Sequence, residues 1–166
     1  MYAELDFLII GVYLNMGFIG LTDVEDIYRM WGEDSKIDSL ALDEESLKVP
    51  VLHSKYVRLL TDERRHLNKM RESHSILVRD KSEYYAGKMC EEDLQERGWE
   101  PLDIKILKSD IPKYVEGDKD IVKHMIQISE QNEKVQLLLS ILNMIQWRAQ
   151  QVKNAIEWRK FLNGVA

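Results

Sequence analysis

This chain of 166 residues has little of what covalent cross-links and tight turns require. It contains one cysteine, three prolines and eight glycines, and 8% of its residues are aromatic. The lone cysteine, Cys90, excludes an intramolecular disulfide and fits a reducing cytoplasm. The scarcity of proline and glycine leaves room for long helices. Because 45% of the residues are hydrophobic, we expect one domain, or a small domain with an oligomerisation element.

The sequence also lacks the motifs of the common catalytic folds. It has no phosphate-binding loop, no glycine fingerprint for dinucleotides, no nucleophile elbow and no zinc motif. The spacing of His66 and His74 is wrong for two metal ligands on adjacent helical turns. The acidic clusters that begin at Asp43 and Glu91 are typical of solvated loops. We therefore expect no enzymatic activity and no bound metal or cofactor.

Positive charge is concentrated in one stretch of an otherwise acidic chain. The formal net charge is −6, from 23 Lys and Arg against 29 Asp and Glu. Residues 53–88 contain nine Lys and Arg against five Asp and Glu, which gives +4, and the remainder, with 14 against 24, carries −10. A basic helix on an acidic body indicates a defined track for an anionic ligand, not a surface that coats nucleic acid everywhere.

The first 21 residues differ from the rest of the chain. Their apolar stretch, residues 7–20, follows no positively charged region, unlike a secretory signal, and is shorter than the roughly 20 residues that span a bilayer. Met16 precedes a good helix N-cap in Thr22 or Asp23. We therefore expect the native chain to start at Met16 or later. A short membrane-surface anchor is the alternative.

Periodicity beyond residue 21 predicts an all-α fold of elongated helices in three segments. These are an N-terminal helical region, an extended connector, and a long C-terminal helix for self-association, at residues 22–89, 90–117 and 118–166. In the connector, the alternation of residues 99–107 is typical of a strand, but no second strand of comparable quality exists to pair with it. We therefore expect an extended segment laid on helices, followed by a short helix that closes at Gly117.

The N-terminal region is predicted to contain two helices. A first helix begins with acids near Asp23 and ends at Gly32. The acidic connection that follows is expected to be extended, with one turn of helix that ends before Pro50. A long helix then covers residues 52–86, which contain neither proline nor glycine and place apolar residues along one seam.

The last helix, expected from Asp118 to Asn163, carries two apolar stripes. Two stripes require two partners, and residues 137–147 are apolar nearly all round. Burial within one protomer is one solution, and self-association through this helix is the solution that we favour. The residues expected at that interface are Leu138, Ile141, Leu142, Ile145, Val152 and Ile156.

Cations and aromatic rings converge at the end of the basic helix. Helical spacing puts Lys81 one turn before both Tyr84 and Tyr85 and two turns before Lys88, with Arg79 close by. Single-stranded nucleic acid requires this combination, because cations neutralise phosphates while aromatic faces stack on unpaired bases. The alternative is a helix end whose tyrosines complete a packing stripe and whose lysines are solvated.

The same segment resembles a known protein family. The run from Arg79 to Lys88, Arg-Asp-Lys-Ser-Glu-Tyr-Tyr-Ala-Gly-Lys, is similar to the Lys-x-Arg-Leu-Asp-Tyr-Tyr-Ser-Gly signature of the UvsY family, the recombination mediators of T-even-like phages. An Asp-Lys-Asp opening at Asp118 and the block from Val152 to Phe161 follow in the family's order. The likeness runs from about residue 24 to 164, looks closest to cyanophage versions, and leaves residues 1–20 without a counterpart.

This resemblance implies an activity and its partners. Family members bind single-stranded DNA, form a ring-like homo-oligomer of six or seven subunits through the C-terminal helix, and load the phage UvsX recombinase onto strands covered by the phage single-strand-binding protein. They act in the cytoplasm of the infected bacterium. By position, the family's two basic DNA-binding residues correspond to Arg79 and Lys81, with the types of the two cations exchanged. Ser82 stands where the signature has leucine. A coiled-coil adaptor that binds only protein is the competing hypothesis.

Overall fold

The computed structural model describes residues 23–164 and contains five α-helices over that range. The expectations for the first 21 residues lie outside this range. The all-α prediction is confirmed, and no strand occurs between residues 23 and 164. Helix α1, Val24–Asp34, follows an extended N-cap residue, Asp23, and has two acids in its first turn. It continues two residues past Gly32, where the sequence predicted its end, and buries Ile27.

Helix α2, Leu42–Tyr85, is longer than predicted and has Pro50 in its interior. The prediction of an extended connection that ends before Pro50 is therefore wrong. Proline has no N–H to donate, so it normally weakens a helix. Here Leu42 and Leu52 are both buried on the same helix, and the burial of apolar side chains on either side of Pro50 offsets that loss. Tertiary packing thus overrides the local signal.

The chain divides into two compact units, and the first combines Met1–Tyr56 with Ser140–Ala166. Its central polar contact joins Glu45 to Arg148, whose Nη2 lies 2.6 Å from the Glu45 carboxylate. The same guanidinium donates to the backbone carbonyls of Ser35 (2.9 Å) and Lys36 (2.7 Å). One buried arginine therefore fixes the turn after α1 against the start of α2.

The second unit, Val57–Leu139, contains most of α2 and both short helices. A buried pair sits in its core, where Gln131 Nε2 donates to the Glu63 carboxylate at 2.5 Å and to the Glu63 carbonyl at 3.1 Å. His74 stacks on His124 with 5.6 Å between ring centroids. His66 and His74, the two histidines considered as metal ligands, both lie on α2, and the ring of His74 packs against another side chain.

The connector contains two short helices and no strand over its described length. Helix α3, Glu91–Arg97, ends at Gly98, whose φ of 67° is in the left-handed region that favours glycine. Helix α4, Ile111–Glu116, has Gly117 as its C-cap, as predicted. The segment between the two helices is irregular and forms no paired strand, as predicted, whereas α3 is a helix that the sequence pattern does not predict.

Helix α5, Lys119–Leu162, matches the predicted last helix to within one residue at each end. Its first turn is capped by Asp118, whose Oδ1 accepts hydrogen bonds from the backbone N–H groups of Asp120 (2.8 Å) and Ile121 (3.4 Å). No helix between residues 23 and 164 has an apolar stretch long enough to cross a bilayer.

Candidate nucleic-acid interface

The cluster at the end of α2 is built around the side chain of Lys81. Its ammonium group lies 3.0 Å from Asp118 Oδ2 and 2.7 Å from Asp120 Oδ2. It also lies 4.1 Å from the centre of the Trp99 ring and 5.8 Å from that of Tyr84. The residue is 5% exposed. The sequence pattern predicts that Lys81 touches DNA, whereas in the structure its charge is directed at two carboxylates of the same chain.

The two buried charges stabilise each other. Burial lowers the pKa of Lys81, but hydrogen bonds to Asp120 and Asp118 outweigh that effect and leave the pKa above its usual value. Burial raises the pKa of Asp118, and the hydrogen bonds from Lys81 and Tyr85 reverse this, so that the pKa is lowered. Both groups are therefore charged at neutral pH. Direct contact between Lys81 and DNA stays a prediction.

Both tyrosines are half-buried, and their hydroxyls are engaged within the protein. Tyr84 donates to the backbone carbonyl of Glu100 at 2.8 Å, and Tyr85 donates to Asp118 Oδ2 at 2.8 Å. Burial, followed by that hydrogen bond, raises the pKa of Tyr85. The two rings contact each other with 5.1 Å between centroids. These contacts fix the tyrosines against the connector, as the packing alternative expected, while part of each ring stays accessible.

Additional rings extend this pair into an aromatic cluster. Tyr84 lies 5.3 Å from Trp99, centroid to centroid, and Tyr85 lies 5.7 Å from Tyr114. Trp99 also lies under the guanidinium of Arg97 at 5.4 Å. The cluster therefore draws on α2 and on two parts of the connector, the residues after α3 and helix α4, and orders all three around one site.

Arg79 is the exposed cation of the predicted site. Its side chain is 67% exposed, and its Nη2 lies 3.2 Å from Asp80 Oδ1. Asp80 is itself 3% exposed and forms an ion pair with Arg97 at 2.7 Å, without the alignment of a hydrogen bond. Only the Arg79 end of its pair is exposed, and Asp80 keeps Arg97 as a second cationic partner when Arg79 moves away. A phosphate can therefore compete for the Arg79 guanidinium without leaving the Asp80 carboxylate unpaired.

Lys88 is exposed beyond the turn that ends α2. Gly87 has a φ of 65°, and the backbone N–H of Lys88 returns to the Glu83 carbonyl at 3.0 Å. Such a turn terminates the helix and directs the chain toward the connector. Of the five predicted DNA-binding residues, the structure thus brings Lys81, Tyr84 and Tyr85 together in a packed cluster and leaves Arg79 and Lys88 on the surface.

Burial makes the surface of α2 more basic than its sequence. Within the second unit, two of its acids are buried: Glu63, which binds Gln131, and Asp80. The cations are exposed except for Lys81. The exposed ones are Arg58, Arg64, Arg65, Lys69, Arg71 and Arg79, and Lys88 follows them just beyond the helix.

Two residues that complete this site, Asp118 and Trp99, are not indicated by the sequence pattern. The pattern marks Asp118 as the start of the last helix but gives no sign that it is the partner of Lys81 and Tyr85. Trp99 belongs to a strand-like alternation, which does not indicate its contact with Lys81. Helical spacing relates residues within one element, and no comparable rule connects α2 to the start of α5. The one sequence feature that points toward Asp118 as a partner for a lysine is that it is an acid at a helix N-cap, after a segment with several lysines.

The residues predicted for self-association are largely covered by their own chain. Leu138, Ile141, Leu142, Ile145 and Val152 are buried, and Ile156 is half-buried. Helix α5 nevertheless exposes other large apolar side chains, and Trp158 and Phe161 stack with 5.6 Å between ring centroids. A role in subunit contacts stays a prediction for the six residues named from the sequence. The exposed large apolar residues of α5 are Val122, Met125, Ile126, Met144, Trp147, Trp158, Phe161 and Leu162.

Comparisons with known proteins identify relatives of the whole fold. A family model described as "Recombination, repair and ssDNA binding protein UvsY" matches residues 30–165. A crystal structure of the bacteriophage T4 recombination mediator protein UvsY (lattice type II) has a TM-score of 0.73 at 20% identity, covering 86% of this chain and 99% of that one. A second crystal form (lattice type IV) gives 0.73 at 18% identity over 84% and 99%. No curated protein matches the chain.

Proposed function

We propose that this chain, which belongs to the UvsY family of recombination, repair and single-stranded-DNA-binding proteins, binds single-stranded DNA. We further propose that it loads a phage recombinase of the UvsX type onto that strand. A general role in recombination follows from the family. The observation that carries the finer proposal is the position of the family match, since residues 30–165 include the whole cationic and aromatic cluster.

The surface of α2 supports binding to an anionic polymer. Its exposed cations lie on a chain whose net charge is −6, so positive potential is local to this helix and its surroundings. We infer that Arg79 and Lys88 contact phosphates directly, because both are exposed. Lys81 instead holds Asp118 and Trp99 in place and so shapes the surface on which the strand lies.

Weak sites become effective when they are repeated. If each protomer neutralises about three phosphates, its contribution to the slope of log K against log salt is about −2. A ring of six or seven protomers, as the resemblance implies, multiplies such sites without any new contact. The strand would then be drawn away from the single-strand-binding protein and presented to the recombinase. This role needs no catalysis, and its setting is the cytoplasm of the infected bacterium.

Binding is tested by fluorescence anisotropy with a labelled single-stranded oligonucleotide at low and high salt. We expect the Arg79→Ala variant to bind more weakly and to reduce the salt slope by about 0.7 per protomer. Lys153→Ala on α5 removes an equally exposed cation and serves as the control. Undiminished binding by the Arg79 variant would remove Arg79 from the site. A native protein that binds no oligonucleotide would favour the adaptor hypothesis.

Loading is tested separately from binding. Recombinase filaments are assembled on a strand already covered by the single-strand-binding protein, with and without this protein, and assembly is followed by the recombinase's DNA-dependent ATP hydrolysis. We expect the rate to rise when the protein is added and to rise less with the Arg79 variant. An equal rate in the presence and absence of the native protein would refute a mediator role, whatever the oligonucleotide titration shows.

A further inference from the structure

We propose that the groove between the end of α2 and the connector is an additional contact site for single-stranded nucleic acid, in which Lys105 and Lys108 bind phosphates and Ile104 contacts a base. This inference rests on the proposed function and extends it to a segment outside the basic helix. The groove is formed by the turn after α2 on one side and by the irregular part of the connector on the other.

The groove is large enough for one nucleotide. Its volume is about 440 Å³, within the range of roughly 300–1,000 Å³ that is usual for small-ligand sites. The lining residues come from residues 85–88, 102–106, 108 and 111. A paired base would bring the opposite strand with it, whereas an unpaired base can enter a groove of this size alone.

The charges that line the groove favour an anion. Lys88, Lys105 and Lys108 contribute three positive charges and Asp103 contributes one negative charge, so the lining carries +2. The chain as a whole carries −6. The connector lysines are both exposed, so they retain the side-chain freedom needed to follow a phosphate backbone. Lys88 on one side of the groove and the two connector lysines on the other can bind successive phosphates of one strand.

Apolar side chains lie beside these cations. Ile104 is 60% exposed in the groove, and Leu102 and Ile106 line it while half-buried. A run of acidic residues alone would pair with the lysines, but it would leave the exposed isoleucine in water. A nucleobase offers an apolar face next to its own phosphate and satisfies both kinds of contact.

The groove is continuous with the candidate interface and is anchored at both ends. Tyr85 and Lys88 belong to both sites. The Tyr84 hydroxyl donates to the carbonyl of Glu100, just before the part of the connector that lines the groove, at 2.8 Å, and the Tyr85 hydroxyl donates to Asp118, just after the connector, at 2.8 Å. A strand that follows the exposed cations of α2 can therefore continue into the groove, whose walls are positioned before binding.

The test is a set of anisotropy titrations of the full chain with a labelled oligothymidylate over a range of salt concentrations. We expect Lys105→Ala combined with Lys108→Ala to lower affinity roughly tenfold at low salt and to reduce the salt slope by about 1.4 per protomer, about 0.7 for each phosphate. We expect Ile104→Ser to lower affinity without changing the slope, since no phosphate contact is lost. The matched control is Lys113→Ala combined with Lys123→Ala, which removes the same charge from exposed positions of the same unit outside the groove.

The outcomes separate this inference from the proposed function. If the native protein binds and the groove variant binds equally well, or the control loses as much affinity, the groove is overturned while DNA binding stands. If the native protein does not bind DNA, both fail. If the groove variant keeps its DNA affinity but loses binding to labelled polyglutamate, the groove binds acidic peptides and the inference is overturned.

Discussion

The ammonium group of Lys81 lies 3.0 Å from the carboxylate of Asp118, and both residues are buried. The pair joins α2 to the first turn of α5, and Tyr85 donates to the same carboxylate. Lys81 corresponds by position to a DNA-binding residue of the family, but it also has a structural role as the partner of Asp118. Experiments must therefore distinguish this structural role from any contact between Lys81 and phosphate. Mutations of buried and of exposed cations will therefore differ in their effect on protein stability.

We expect Lys81→Met to destabilise the protein by about 3 kcal/mol. The substitution leaves Asp118 buried with a charge that has lost its main partner, and unpaired buried charges are costly. Urea unfolding measures the loss, and a double-mutant cycle with Asp118→Asn measures the coupling. The exposed Arg79→Ala is the control, with a change of less than about 0.5 kcal/mol. Additive effects of the Lys81 and Asp118 substitutions would contradict the contact.

Acid should weaken the first unit through Glu45. A hydrogen bond from Lys48, followed by one from Arg148, lowers the pKa of Glu45 from 4.5 to about 2. A carboxyl group whose pKa is depressed on folding contributes stability that is fully present above its unfolded pKa and is lost as the pH falls toward its folded pKa. We therefore expect the urea midpoint to fall between about pH 4.5 and pH 2.

The Glu45→Gln variant should flatten that pH dependence, because it removes the titrating group. Comparison of urea midpoints at pH 5, 4 and 3 isolates the contribution of Glu45 from those of other carboxylates. Its neighbour Glu44 is exposed and provides the matched control, Glu44→Gln. A Glu45 variant that retains the full pH dependence of the native protein would show that Glu45, with its partners Lys48 and Arg148, does not govern acid stability.

Self-association is expected to depend on the exposed apolar residues of α5. Trp158 and Phe161 are 62% and 72% exposed, so alanine at both positions should lower the oligomer mass without lowering protomer stability. Ile145 is fully buried, so Ile145→Ala should instead destabilise the protomer by about 2–5 kcal/mol. Light scattering and thermal unfolding measure the two effects. An unchanged mass for the aromatic variant would assign the contact to another surface.

Local periodicity was sufficient to predict most of the helices. The last helix was predicted almost to the residue, because Asp118 and Gly164 mark its ends and apolar spacing continues between them. The start of α2 was predicted wrongly, because a proline normally indicates that a helix does not extend through it. The burial of Leu42 and Leu52, which local spacing does not reveal, explains why the helix continues through Pro50.

The sequence by itself determined the all-α class, the concentration of positive charge on one helix, and the cations and tyrosines at the end of that helix. These properties depend on residue type and on spacing within one element. Only the tertiary structure decided which of those cations is buried. Lys81 and Arg79 are two positions apart, and the approach of Asp118 and Trp99 from other segments makes one an internal ion pair and leaves the other in water.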